Sequence, residues 1–265
     1  MSGQVGARRC AVLLVFLLSL VSGSATAFAQ YQADTSATLP SPWNQASLSP
    51  PLPDQAPTVP EPFGLGARPV AEGEILNKWS GVIADIRAES DILTRCREAG
   101  APCPAAAQKF LSVIAEGRAH EGRARIGIIN RAINLAIRPT SDLAQWGVVD
   151  RWSAPLETLT TGRGDCEDYA IAKYVALTEA GVSADDVKLI IVHDFAVGED
   201  HAVVAARLAG KWIVLDNRRL TLLEDADMPH VMPLFVLGSD GVRQFVSTAV
   251  AQSAAKAPVP SAIAF

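Results

Sequence analysis

The sequence has little of what marks a zinc protein, a nucleic-acid binder or a membrane-spanning chain. Four histidines and four cysteines are scattered through 265 residues, and no Cys/His cluster has zinc-ligand spacing. There is no EF-hand loop. Basic residues number 23 against 28 acidic ones, a net charge of −5, which leaves no electrostatic footprint for nucleic acid as the main ligand. The mostly apolar stretch 10–21 is about a dozen residues long, short of the roughly 20 that a membrane-spanning helix needs. No internal repeat is visible.

What is present begins with export. Arg8 and Arg9 precede the apolar stretch, and Ala27-Phe28-Ala29 has the small-x-small pattern of a signal-peptidase site. Residues 1–29 read as a signal peptide with Gln30 as the mature start, an uncleaved anchor being the alternative; after cleavage the chain would not span a membrane. Removing that segment leaves Cys96, Cys103 and Cys166. Cys96 and Cys103 flank Gly100-Ala101-Pro102, a turn, and in an oxidising compartment they should form a small-loop disulfide contributing about 2–3 kcal/mol. Two unbridged thiols are the alternative. The pairing singles out Cys166 as the reactive cysteine.

Hydrophobic residues make up 49% and charged residues 19%, enough for a packed core. Residues 30–72 are rich in Pro, Ser, Ala and Gln and read as a flexible or extended arm, a structural arm wrapping the domain being the alternative for 58–72. The folded domain is expected over 73–246, followed by an Ala/Ser/Pro-rich tail over 247–265. Ile75, Trp79, Val82, Ile83 and Ile86 recur at helical spacing, and two further helices follow after Pro104 and Gly122. Residues 138–164 read as a long ordered connection in which Trp146 and Trp152 either line a groove or pack beneath the loop. A helix from Cys166 ends at Gly181. Then β-rich runs appear at 187–192, 201–208, 211–216 and 232–237. Helices first and antiparallel strands second is an α+β layout.

The chemistry concentrates in Gly162-Arg163-Gly164-Asp165-Cys166-Glu167-Asp168-Tyr169-Ala170. A thiol at a helix start meets the positive end of the dipole and free backbone N–H groups, both of which favour thiolate. If Ala209-Gly210 is a two-residue hairpin loop, Asp216 faces Val203 and His201 lies diagonal to it on the same face. A carboxylate that orients an imidazole is what a Cys–His pair requires. His193 is the competing histidine, without a matched acid on a neighbouring strand. Asp165 is a natural N-cap with Asp168 three residues on. Three carboxylates around one thiol oppose its ionisation, and a bound cation such as Ca²⁺ would remove that conflict.

These segments resemble the bacterial transglutaminase-like cysteine peptidases, in particular the LapG-type periplasmic proteases. The resemblance covers about 74–217 and is strongest in Asp150-Arg151-Trp152-Ser153-Ala154-Pro155, the Gly162–Tyr174 motif, Asp200-His201-Ala202-Val203 and Leu215-Asp216-Asn217. The Asn130-to-Asn134 spacing also looks like the family. The resemblance implies a papain/transglutaminase-like fold and a catalytic triad of Cys166, His201 and Asp216. It implies calcium dependence with Asp165 and Glu167 as ligands, and a periplasmic location. It further implies a protein substrate, a large surface adhesin whose cleavage disperses biofilm, and an inner-membrane cyclic-di-GMP receptor as partner. An acyl transferase with the same triad and a non-catalytic binding module are the rival readings.

Overall fold

The computed structural model describes residues 61–98, 100–228 and 230–246. The expected signal peptide, residues 30–60 of the arm, and the tail lie outside the described residues. In chain order the elements are strand β1 (Ala67–Pro69), helices α1 (Glu74–Cys96), α2 (Ala105–Arg118) and α3 (Gly122–Ala136), strand β2 (Arg138–Pro139), helices α4 (Asp142–Trp146) and α5 (Pro155–Thr161), strand β3 (Arg163–Gly164) and helix α6 (Cys166–Glu179). Strands β4 (Val187–Asp194), β5 (Glu199–Leu208), β6 (Lys211–Leu215), β7 (Leu223–Glu224), β8 (Val231–Gly238) and β9 (Gly241–Phe245) follow. The α+β expectation holds: helices come first and an antiparallel sheet after.

The sheet runs β1-β9-β8-β4-β5-β6-β7, and every neighbouring pair is antiparallel. Its central strand β4 is buried from Val187 through Val192. This explains why the segment reads as a continuous apolar run rather than an alternating one. Ile190, Val192, Val203, Ala205, Trp212, Val214, Val236 and Phe245 form a core cluster covered by Phe63, Leu65, Ala67, Met228 and Val231. The fold therefore starts before residue 73. Ala67–Pro69, inside the expected arm, pairs with β9, and Pro69 is tolerated because β1 is an edge strand.

Helix α6 is buried at every position from Cys166 through Leu177, as befits a helix packed on all sides. It lies against β4 and β5 on one side and α2, α3 and α5 on others. Trp79 of α1 is core: its ring meets Tyr174 edge-on, with centroids 5.5 Å apart, and its indole N–H donates to Gly238 O at 3.3 Å. Cys96 and Cys103 are disulfide-bonded, with Cα atoms 4.9 Å apart. No helix of the described residues is long and apolar enough to cross a membrane.

Two local devices place the site. The β5–β6 hairpin turns through Ala209 and Gly210, whose φ angles are 50° and 81°; this left-handed pair closes a two-residue loop that matches the twist of the strands. Leu208 pairs with Lys211 and Val204 with Leu215, which is the register the sequence implied. The long connection 138–164 is tied back by a short parallel ladder, with Arg138 N–H donating to Gly162 O and Thr140 N–H to Gly164 O, each at 2.9 Å.

Candidate active site

Cys166 is the first residue of α6 and is 1% exposed. Its Sγ lies 3.0 Å from Glu167 Oε2 and accepts the Ala202 N–H at 3.4 Å. The nucleophile candidate therefore touches the strand that carries His201, at the residue next to it. His201 and Asp216 are 2% and 3% exposed, and His201 Nε2 is 2.9 Å from Asp216 Oδ1. Asp216 also accepts the Arg218 N–H at 2.9 Å and Arg219 Nε–H at 3.1 Å. Burial pushes the Asp216 carboxyl up, but the His201 bond and charge, the Arg218 N–H and the Arg219 cation together hold it well below the usual carboxylate range. An ionised Asp216 can only accept, so Nε2 is the nitrogen that donates to it, and the tautomer this selects in the neutral ring has its lone pair on Nδ1. Nδ1 is buried and has no hydrogen-bond partner among the described residues.

His193 needs a correction. It does have a matched acid: β4 and β5 pair His193 with Asp200, and His193 Nδ1 is 2.8 Å from Asp200 Oδ1. The register makes the pair, and it was missed because the turn between β4 and β5 has no glycine-led signature at its start. His193 is 30% exposed and its ring meets Phe195, whereas Cys166 contacts the residue beside His201. The competing pair exists, but it is not the one beside the sulfur.

The acidic collar is larger than the sequence suggested. Asp165 occupies the N-cap position of α6, yet its side chain makes no capping hydrogen bond, so capping does not account for it. Its carboxylate instead gathers with those of Asp142 and Asp168, and one oxygen of each lies within 4.8 Å of the others. Asp168 Oδ1 accepts Ser153 N–H at 2.8 Å, and Asp142 Oδ2 accepts the Arg151 N–H. Asp142 Oδ1, Asp165 Oδ1 and Asp168 Oδ2 are buried without a hydrogen-bond partner among the described residues. Burial foremost, reinforced by the neighbouring Asp165 charge, pushes Asp142 up to about 7 and Asp168 well above its ordinary range. Burial likewise raises Asp165 and Glu167, which are hydrogen-bonded to each other. Asp150 stands nearby, one oxygen held by Lys78 and the other buried without a hydrogen-bond partner among the described residues.

This donor set fits a hard divalent cation. Oxygens each about 2.4 Å from a shared Ca²⁺ lie at most about 4.8 Å apart, and carboxylates crowded out of water are costly unless neutralised. Of the two ligands expected from sequence, Asp165 sits in this group, while the Glu167 carboxylate lies against Asp165 and Cys166 Sγ. Asp142 was not anticipated. It lies in a different helix, 23 positions before Asp165, and no spacing rule connects the two.

The remaining expectations divide. Trp152 is buried and its neighbour Ser153 bonds Asp168, so that loop braces the first turn of α6. Trp146 is half-buried beneath the Arg151 guanidinium, 4.2 Å from its ring centroid. Asn134 and Asn130 of α3 hold the segment after Asp216 through their side-chain amides, a role no local pattern announced.

Residues 91–230, more than half of the chain, match the family model described as bacterial transglutaminase-like cysteine proteinase. Among solved structures the chain is similar to Legionella pneumophila LapG, at 19% identity over 63% of this chain and 93% of that one, with a TM-score of 0.49. A calcium-bound form of that protein aligns at 18% identity over 68% and 93% of the two chains, with the same TM-score of 0.49. A putative cysteine protease from Cytophaga hutchinsonii aligns at 16% identity over 54% and 52%, with a TM-score of 0.35. No curated protein sequence is similar enough to this chain to count as a match.

Proposed function

The chain belongs to the bacterial transglutaminase-like cysteine proteinases, and on that premise we propose that it is a periplasmic, calcium-dependent endopeptidase working through Cys166, His201 and Asp216. The observation that carries the reading is the buried His201–Asp216 bond at 2.9 Å, with His201 Nδ1 left unpartnered beside the strand residue that Cys166 Sγ touches.

His201 Nδ1 takes the thiol proton as Cys166 Sγ attacks the peptide carbonyl carbon. The Cys166 backbone N–H at the start of α6 stabilises the developing oxyanion, an effect typically of a few kcal/mol. The C–N bond breaks, and the imidazolium returns its proton to the departing amine. Water then attacks the thioester with His201 as general base, releasing the acid and restoring the thiol. Asp216 keeps Nε2 protonated throughout and stabilises the imidazolium. Asp142, Asp165 and Asp168 are the residues that would hold Ca²⁺, with Glu167 beside them. When bound, the ion supplies positive charge that offsets the carboxylates around the thiol and ties α4, the loop before α6 and its first turn together.

The Cys96–Cys103 disulfide supports an oxidising compartment, in line with the signal-like N-terminus. In this reading the substrate is an exported protein, a large surface adhesin, and a cyclic-di-GMP receptor of the inner membrane is the sequestering partner. The test is cleavage of the cell's surface proteins by wild type and by Cys166→Ala, with a labelled amine present. Release of a fragment by wild type alone supports the peptidase. Amine incorporation in its place would favour acyl transfer, and unchanged cleavage by Cys166→Ala would overturn the assignment.

A further inference from the structure

Asp216 lies one residue beyond the end of β6, so the ladder of the sheet does not fix it. Its backbone is held from another element. Asn134 Nδ2 of α3 donates to Asp216 O at 2.9 Å and to Arg219 O at 3.1 Å. One helical turn earlier, Asn130 Nδ2 donates to Arg219 O at 3.4 Å and Leu220 O at 3.3 Å. Residues four apart share a helix face, so the two amides form a short row against the loop. Asn130 is fully buried between Ile126, Ile129 and Ile133 on that helix. An amide is a costly choice there unless its hydrogen bonds do something an apolar side chain cannot.

We infer that Asn134 is a positioning residue for the His201–Asp216 pair, clamping the Asp216 carbonyl to α3 so that its carboxylate meets Nε2 rather than water. The inference rests on the triad reading above. The geometry separates it from simple loop stapling. The clamp acts on the backbone of the residue whose Oδ1 orients the imidazole; that same Oδ1 also accepts Arg218 N–H, and Arg219 Nε–H closes the other oxygen, Oδ2. Asn134 bonds Arg219 O as well, so one amide sets both the acid and the arginine that completes its hydrogen bonds. An aspartate at 134 could not donate, and a leucine of the same shape would take the Asn134 donor from Asp216 O and leave Arg219 O with the Asn130 amide alone.

The experiment uses the full mature protein and two readouts that loss of stability alone does not move: the ¹⁵N spectrum of the His201 ring, assigned by comparison with His201→Ala, and the rate of iodoacetamide reaction at Cys166 at pH 7. Asp216→Ala should lose the single Nε2–H tautomer and slow alkylation. Asn134→Leu should give mixed tautomers and slow alkylation about tenfold, a fraction of what a general base contributes. Asn134→Gln, which keeps the donor, should stay near wild type. If Asn134→Leu does not fold, Asn134→Ala, which also lacks a donor, is read in the same way. A single wild-type tautomer and wild-type reactivity in Asn134→Leu, whatever its Tm, overturns the clamp while leaving the triad standing. If Asp216→Ala is also silent in both readouts, it is the triad reading that falls.

Discussion

Gly164 and Asp168 are packed so closely that a Cβ on the glycine would stand 2.5 Å from Asp168 Oδ2 and 2.7 Å from Asp168 Cβ. The contact lets the loop before Cys166 lie directly on the first turn of α6 and presses one carboxylate of the acidic group into place. It ties an element-ending glycine to the acidic group, since Asp168 Oδ2 is one of the buried oxygens without a hydrogen-bond partner among the described residues.

Gly164→Ala should therefore act on the cation site before it acts on the fold. The added methyl must displace Asp168, and the group formed with Asp142 and Asp165 opens. Thermal unfolding with and without 1 mM CaCl₂ is the measurement. Wild type should gain stability with Ca²⁺ in proportion to RT ln(1 + [L]/Kd), and the variant should gain much less. An equal Ca²⁺-dependent rise in Tm for both proteins would show that the close approach has nothing to do with metal.

The pH dependence of stability has an identifiable contributor in Lys173, seven residues along α6 from Cys166. It is 1% exposed, and burial pushes its ammonium down to about 7 although the Asp216 charge pulls the other way. The folded value lies below the ordinary 10.5, so between about 7 and 10.5 the unfolded chain binds the extra proton. Stability then rises with pH across that window, by at most about 1.4 kcal/mol per unit. Lys173→Met keeps the volume and removes the charge. Urea unfolding from pH 6 to 10 should show wild type approaching the variant as pH rises, the variant being the more stable near neutrality. Parallel curves would mean that the lysine is solvated and carries no such cost.

Legibility in the sequence follows the range of the interactions involved. The His201–Asp216 pair could be read because a two-residue hairpin fixes register by arithmetic, and Ala209-Gly210 supplied the loop. Cys166 could be read because a helix start has local punctuation. Asp142 could not, because it meets Asp165 across a tertiary contact between α4 and the loop before α6, which leaves no periodic trace. The His193–Asp200 pair was hidden behind the four-residue turn 195–198. β1 was hidden by prolines that argue against a strand everywhere except at an edge, and β9 by Arg243 and Gln244, whose polarity masks a short strand next to the core residue Phe245.

Ala209 is the weak point of the hairpin on which the site depends. A non-glycine residue at φ 50° is unfavourable, and the favoured partner for a following glycine in this turn is asparagine. Ala209→Asn should stabilise the protein by about 0.5–1 kcal/mol without altering activity. Inserting one glycine between 209 and 210 should do the opposite to function: the register slips, and His201 and Asp216 are carried to opposite faces. Chemical denaturation and a cleavage assay on both variants check the pair. An insertion variant that still cleaves would show that the register is held by β4 and not by this turn.

Metal removal separates the two explanations of the acidic group. Buried carboxylates without hydrogen bonds are stable either because they are protonated or because a cation shares them, and the two states respond differently to chelator and to charge-removing substitutions. If Ca²⁺ is the answer, EGTA should lower the Tm and abolish cleavage, and added Ca²⁺ should restore both. Asp142→Asn should weaken Ca²⁺ affinity by at least the roughly 10- to 100-fold that follows from losing even a group that supports a metal ligand, and raise the Ca²⁺ needed for half-maximal cleavage. If protonation is the answer, EGTA changes nothing, and Asp142→Asn stabilises the protein at neutral pH because it removes the cost of charging a buried group held up to about 7. Equilibrium dialysis of the EGTA-stripped protein against ⁴⁵Ca²⁺ decides first, because a protein that retains no Ca²⁺ at 1 mM has no use for the cluster as a cation site.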